Sequence, residues 1–333
     1  MILVGDIGGT NTRLALYERT GRRAIAEVVQ PSREHKSLEE IARAFLGGHG
    51  ALPRSTGRSL RVEGAVLGVA GPVQDGAAKI TNLPWRLEER SLARALGIPW
   101  VSLQNDLVVA ARGCLHVPKG SLEQLTPKPP ARARKNLVVL AAGTGLGEAR
   151  LIWTGERYLA LPTEAGHTDF APRTPLEIEL WHFLAARFRE HVSYERVVSG
   201  AGLGALYDFF ASRAGREPRA VAKRLAQADR NAAIAELGLA RGYRPAARAV
   251  DLFAEIYGAE AGNMVLRELA VGGVFLTGNI ARHIVTGRRE IFLQAMRKKG
   301  RFATMLSEVP VAVVTDPFVG VRGALAFARD RMG

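Results

Sequence analysis

Gly5-Asp6-Ile7-Gly8-Gly9-Thr10-Asn11 closes the apolar run Ile2-Leu3-Val4, and its reading decides the fold because the pattern returns later. Residues 2–7 read as a buried strand and residues 13–18 as a half-alternating one, so the glycines between them make a β-hairpin turn. Glycines let the backbone approach an anion closely. Their N–H groups, with the Thr10 hydroxyl, can point inward as an anion-binding concavity. Asp6, at the strand end, is placed to hold a hydrated Mg²⁺ through water. Taken alone, the stretch is equally a tight hairpin whose Gly and Asn residues supply positive φ. About 135 residues on, 136–142 is a strand, Gly143-Thr144-Gly145-Leu146-Gly147 a turn and 149–153 a second strand. Two such turns can grip a polyphosphate from opposite sides. The repeat is an internal duplication at domain scale.

Working outward, 62–70 reads as a strand ended by Gly71-Pro72, and 38–46 has helical spacing. Residues 100–103 form a strand running into Asn105-Asp106 and a helix from Leu107. A Pro-rich connection, Thr126-Pro127-Lys128-Pro129-Pro130, marks a seam. The second half is helix-rich over 177–189, 203–214 and 248–269, with strands at 273–278 and 309–314 and a terminal helix over 320–329. Alternating strands and helices imply an α/β protein.

A length of 333 residues suggests about two domains. No basic segment followed by a long apolar run resembles a signal peptide, and no stretch is apolar enough to span a membrane, so the expected address is the cytoplasm. The single cysteine, Cys114, excludes internal disulfides and a multi-Cys zinc site, and no structural metal is expected. The net charge is +14, and 38 of the 46 basic residues are Arg. They are spread along the chain, denser over Arg213–Arg248 and at Arg132-Ala133-Arg134-Lys135. Neither stretch interleaves aromatics as a single-strand-binding surface would, so no nucleic-acid partner is expected. A solvated basic surface can still concentrate an anionic substrate.

No Gly-Lys dipeptide occurs, so the P-loop is absent. Gly200-Ala201-Gly202-Leu203-Gly204-Ala205 matches a dinucleotide fingerprint weakly, and packing at a helix N-terminus or an adenine contact reads better. Asn105-Asp106 is either a helix N-cap or a general base at a strand's carboxyl end. Glu164-Ala165-Gly166-His167 is a loop whose acid and imidazole can converge on neighbouring hydroxyls, or else a surface polar pair. Glu195 can equally be paired with Arg196.

Together these residues resemble the bacterial-type glucokinase family of the hexokinase/actin/Hsp70 ATPase superfamily. The likeness runs the length of the chain. It includes Gly68–Val73, Thr81-Asn82-Leu83-Pro84-Trp85, Asn105-Asp106, Glu164–Pro172, Glu195–Gly200, Gly262-Asn263 and Gly272–Gly278. The resemblance implies ATP-dependent phosphorylation of glucose at O6, with Mg²⁺ accompanying the nucleotide and a homodimer as the assembly. It implies an α/β fold of two ribonuclease-H-like domains with a central cleft, residues 2–115 plus 318–333 forming the small one and 116–317 the large one. Asp106 matches the catalytic base, and Asn105, Asp106, Glu164, His167 and Glu195 match the glucose-binding set. Gly5, Asp6, Ile7, Gly8, Gly9, Thr10 and Asn11, with Gly143, Thr144 and Gly145, match the phosphate loops, and Gly200, Gly202 and Gly278 flank the adenosine. The alternatives are a hexokinase of broader sugar range, an ADP- or polyphosphate-dependent kinase, or a non-catalytic sugar sensor of the same fold. Two residues depart from the family pattern. Glu148 is repulsive to a triphosphate unless it points to the opposite face of its strand, and Asn279 stands where a second glycine is usual.

Overall fold

A computed structural model describes residues 1–49, 61–130, 134–227 and 229–333. The chain divides into two compact units, Met1–Lys119 with Asp316–Gly333, and Gly120–Thr315.

The first unit opens with β1 (Ile2–Ile7), β2 (Asn11–Tyr17) and β3 (Ala24–Pro31), followed by α1 (Leu38–His49) and β4 (Gly64–Val69). The short strands β5 (Val73–Gln74), β6 (Ala77–Lys79) and β7 (Arg86–Glu88) form a small sheet of their own. Then come α2 (Glu89–Leu96), β8 (Val101–Asn105) and α3 (Asp106–Cys114). The main sheet has the order β3-β2-β1-β4-β8, antiparallel across β3-β2-β1 and parallel across β1-β4-β8. β4 is buried throughout, as a central parallel strand covered on both faces must be. β3 alternates between half-buried and exposed residues, as an edge strand does.

The second unit carries β9 (Leu122–Gln124), β10 (Leu137–Ala142), β11 (Leu146–Trp153) and β12 (Tyr158–Thr163). The helices α4 (Pro175–Phe188), α5 (Gly200–Ala211), α6 (Arg219–Gln227), α7 (Arg230–Leu239) and α8 (Arg244–Glu268) follow, then β13 (Gly273–Thr277), α9 (Arg289–Arg297), α10 (Ala303–Ser307) and β14 (Val311–Val314). Its sheet runs β12-β11-β10-β13-β14-β9. The first three are antiparallel and β10-β13-β14 parallel, which repeats the arrangement of the first unit with β9 added at the edge. The chain then returns to the first unit as α11 (Val319–Met332).

Glycines decide how closely the helices pack. A Cβ on Gly113 of α3 would stand 1.9 Å from the Val319 carbonyl, and one on Gly323 of α11 would stand 1.6 Å from that of Val109. In the second unit a Cβ on Gly258 would meet the Phe292 carbonyl at 2.1 Å, so α8 and α9 touch backbone to backbone. α8 is buried along most of its length, with Phe253 and Tyr257 wholly enclosed.

Some sequence expectations shift. The Pro-rich stretch from Thr126 lies within the second unit, because the Thr126 hydroxyl accepts the Val311 amide at 2.9 Å and prolongs the pairing of β9. The helix expected from Leu203 begins at Gly200, capped by the Ser199 side chain. Leu146 and Gly147 belong to β11 rather than to the turn. Asp106 is the first residue of α3, which was expected to start at Leu107. Of the basic run at 132–135, Arg132 and Ala133 lie outside the described residues, as does Ala228 within 213–248.

Candidate active site

In the first unit the predicted residues gather at the carboxyl edge of β1, β4 and β8, where open α/β sheets bind ligands. Ile7 pairs with Val69, and Val69 with Asn105, so the three strands end in step. The Gly8-Gly9-Thr10 turn closes through the Gly8 amide donating to the Asn11 carbonyl at 3.0 Å. Ser32 braces it from below. Its hydroxyl donates to the Gly8 carbonyl at 2.7 Å and lies 2.9 Å from the buried Thr12 hydroxyl. Gly9 is needed for space, since a Cβ there would stand 2.8 Å from the Thr81 carbonyl. Thr10 remains exposed at the tip.

Asp6 sits opposite Arg13 in the hairpin register, with Arg13 Nη1 3.6 Å from Asp6 Oδ2. Gly320, in the first turn of α11, packs on it so closely that a Cβ would stand 2.9 Å from Asp6 Cγ. Burial pushes the Asp6 carboxyl above its ordinary value, against the pull of Arg13. Burial disfavours the charged carboxylate, and a nearby positive charge such as Arg13 favours it. Arg13 carried no sequence reading; the two-residue alternation of the hairpin is the signal that pairs it with Asp6.

Asn105 is the N-cap of α3. Its Oδ1 accepts the Leu107 and Val108 amides at 3.0 and 3.2 Å, and its Nδ2 donates to the Gly71 carbonyl at 3.2 Å. The cap reading holds, and among the described residues only one of the two Nδ2 hydrogens is donated. Asp106 follows at the first helical position, half-buried, with Oδ1 accepting the Leu107 amide at 2.9 Å.

In the second unit the residues converge on Leu146. Glu195 Oε2 accepts its amide at 2.9 Å, and a Cβ on Gly166 would stand 2.0 Å from its carbonyl oxygen. The Glu164–His167 turn and the Glu195 turn therefore lie against the same residue of the second hairpin. They are held together by Tyr194 N–H donating to the Thr168 carbonyl at 3.0 Å and Phe170 N–H to Val192 at 2.8 Å. The stretch expected to be a loop is a tight helical turn over Ala165–His167, with the side chains of Glu164 and His167 exposed. The Gly143 carbonyl accepts the Gly200 amide at 2.9 Å, which brings the N-terminus of α5 to the second turn. Helix N-termini favour anions through their free amides and dipole. Gly278, at φ +90°, lies against the Ala142 carbonyl, where a Cβ would come to 2.5 Å.

Residues 3–331 match the family model for glucokinase. The chain belongs to the glucokinase family. It is 34% identical to the glucokinase of Nostoc punctiforme, across 97% of each chain, and 31% identical to that of Chromobacterium violaceum, across 99% of this chain and 90% of the other. Among solved structures, the glucokinase of an Antarctic psychrotroph superposes with a TM-score of 0.82 at 27% identity, covering 99% of this chain and 98% of that one. A ROK family glucokinase from Streptomyces griseus, in complex with glucose and AMPPNP, shares the fold at a TM-score of 0.64 and 19% identity, covering 99% of each chain. As a glucokinase, the protein is an enzyme that phosphorylates glucose at the expense of ATP.

Both departures from the glucokinase pattern have a structural account. Glu148 points into the core, fully buried against Tyr257 and Glu260 of α8, and neither carboxylate oxygen has a hydrogen-bond partner among the described residues. Burial, reinforced by the Glu260 charge, pushes its pKa up to about 8 against the pull of Arg267, so it is mostly neutral at pH 7. Period-two alternation from Leu146 already places Glu148 on the inner face. Asn279 needs no glycine conformation, because Gly278 alone carries the positive φ of that turn. The basic 213–248 segment also resolves into structure. Arg213 and Arg248 lie 3.8 and 4.3 Å from the ring centroids of Phe209 and Phe210, and Arg230 pairs with Asp208. Cys114 is buried in α3, where burial pushes its thiol far above its ordinary pKa. No helix among the described residues is long and apolar enough to cross a membrane.

Proposed function

We propose that the chain transfers the γ-phosphoryl group of ATP to O6 of glucose with Asp106 as general base. The observation that carries this reading is the placement of Asp106 at the carboxyl end of β8, in the first turn of α3, on the same sheet edge as the Gly8–Thr10 turn. As the O6–P bond forms, the O6 proton passes to the Asp106 carboxylate. The bond from phosphorus to the bridging oxygen breaks, and its electron pair leaves with ADP. The transition state is loose, so positioning and stabilisation of spread negative charge do most of the work.

The two units, each with an antiparallel hairpin leading into parallel strands, are read as ribonuclease-H-like domains. The Gly5–Asn11 and Gly143–Gly145 turns are the phosphate loops, and the amides at the start of α5 with the Gly278 turn flank the adenosine. The sugar is held by Asn105, Glu164, His167 and Glu195, since carboxylates each accept from hydroxyls. Asp6 fits a hydrated Mg²⁺, which takes one or two carboxylates and keeps its waters. That ion supplies charge neutralisation of the nucleotide's phosphates.

Asp106→Asn tests the base. Turnover in a coupled assay should fall by ~10²–10⁴-fold while glucose binding by calorimetry persists. Near-normal turnover would remove Asp106 from the role.

A further inference from the structure

We propose that Asn263 and Tyr194 form a positioning pair that holds Glu195 in register for the sugar. The inference rests on the reading of Glu195 as a glucose ligand. It gives a role to the Gly262-Asn263 motif, which the reaction itself leaves unassigned.

Asn263, on α8, uses its whole side-chain amide. Nδ2 donates to the Tyr194 hydroxyl at 3.1 Å and to Glu260 Oε2 at 2.7 Å, and Oδ1 accepts from Lys299 Nζ. Glu260 is wholly buried and paired with Arg267 at 2.8 Å, so the amide is fixed from behind. Gly262 makes the arrangement possible. A Cβ there would stand 2.4 Å from the Met296 carbonyl and 2.8 Å from Lys299 Cε, which would displace the segment that delivers the lysine.

Tyr194 carries the constraint to the site. It is 2% exposed, its ring meets Phe170 edge-on at 5.7 Å, and its carbonyl accepts the Val197 and Val198 amides at 2.9 and 2.7 Å. Its amide bonds Thr168, the neighbour of His167, and its own neighbour is Glu195. The phenol is therefore where α8 reaches, through Asn263 and Glu260, the residue that joins both sugar-binding turns. A buried Tyr hydroxyl is held by its hydrogen-bond partners, and small misplacements of a binding group are costly in a preorganised site.

The test compares Tyr194→Phe, Asn263→Leu, Glu195→Gln and the double variant Tyr194→Phe/Glu195→Gln in steady-state kinetics and thermal melting. Tyr194→Phe keeps the packed ring and loses only the oxygen, so it should fold even if Asn263→Leu does not. The expected result is a rise in KM for glucose of roughly 3- to 10-fold, with kcat changed less than about 2-fold, the effect of one lost hydrogen bond. The double variant should be no worse than Glu195→Gln alone, because the tyrosine acts through the carboxylate. An unchanged glucose KM in Tyr194→Phe, beside a raised one in Glu195→Gln, overturns the positioning role alone. Additive effects in the double variant, or a lowered melting temperature without a KM shift, overturn it as well. An unchanged glucose KM in Glu195→Gln overturns both the positioning role and the glucose reading of Glu195.

Discussion

The Glu195 carboxylate and the Leu146 amide share a 2.9 Å hydrogen bond across the missing side chain of Gly145. One carboxylate of the proposed sugar set is thereby fastened to the hairpin turn proposed to hold phosphate. The shape of each depends on the other.

Gly145→Ala should separate the two without unfolding the protein. The new Cβ would stand 2.4 Å from Glu195 Oε2, and the far end of a flexible side chain can swing away. The Leu146 amide then loses a charged partner, a loss of about 1.5–3 kcal/mol. Kinetics should show raised KM values for both glucose and ATP, with the melting temperature lowered by only a few degrees.

Gly166→Ala should behave in the opposite manner. Its Cβ would meet the backbone oxygen of Leu146 at 2.0 Å, and β11 cannot yield as a side chain does. Overpacking of this kind costs about 1–3 kcal/mol or more. Denaturant unfolding should reveal a clear loss of stability that precedes any kinetic effect.

Glu148 gives the protein a pH-dependent stability of definite sign. Its folded pKa of about 8 lies above the ordinary value of 4.5, so over that window the native state binds a proton that the unfolded state does not. Its contribution is fully present below 4.5 and declines with rising pH, by up to about 1.4 kcal/mol per pH unit, until it levels off above 8. Glu260 and Tyr257 face the same space, and Arg267 opposes the shift. Melting temperatures measured from pH 5 to 8.5 should fall less steeply in Glu148→Gln than in the parent, and the variant should be the more stable at the alkaline end.

Discrimination between hexoses checks the sugar set as a whole. Mannose and galactose each invert one hydroxyl and so leave one partner in the closed complex without its hydroxyl, a penalty that can exceed about 10²-fold in kcat/KM. A phosphorylation screen should place glucose well ahead of both. Equal rates would show that Glu164, His167 and Glu195 do not read the ring hydroxyls.

Much of this protein follows from local pattern. The two Gly/Thr turns, each between apolar strands, announce the duplicated hairpins because such turns depend only on neighbouring residues. The N-cap at Asn105 is equally local: a short polar side chain bonding the next two amides needs nothing distant. Alternation along β11 even points Glu148 inward. The boundaries were less legible, since Gly200 looks like loop until Ser199 caps it and makes it the first turn of α5.

What composition and spacing could not show is which distant groups meet. Glu195 has an adjacent Arg196 in the chain, yet its partner is the Leu146 amide, 49 residues away. Gly262-Asn263 is mute as a dipeptide and becomes a junction only when α8 lies against Lys299 and Tyr194. Local motifs are set by steric and hydrogen-bonding preferences over a few residues, and those are written into the sequence. Long-range polar contacts exist because burial removes water from groups that must then find one another, and only the packed chain decides which ones do.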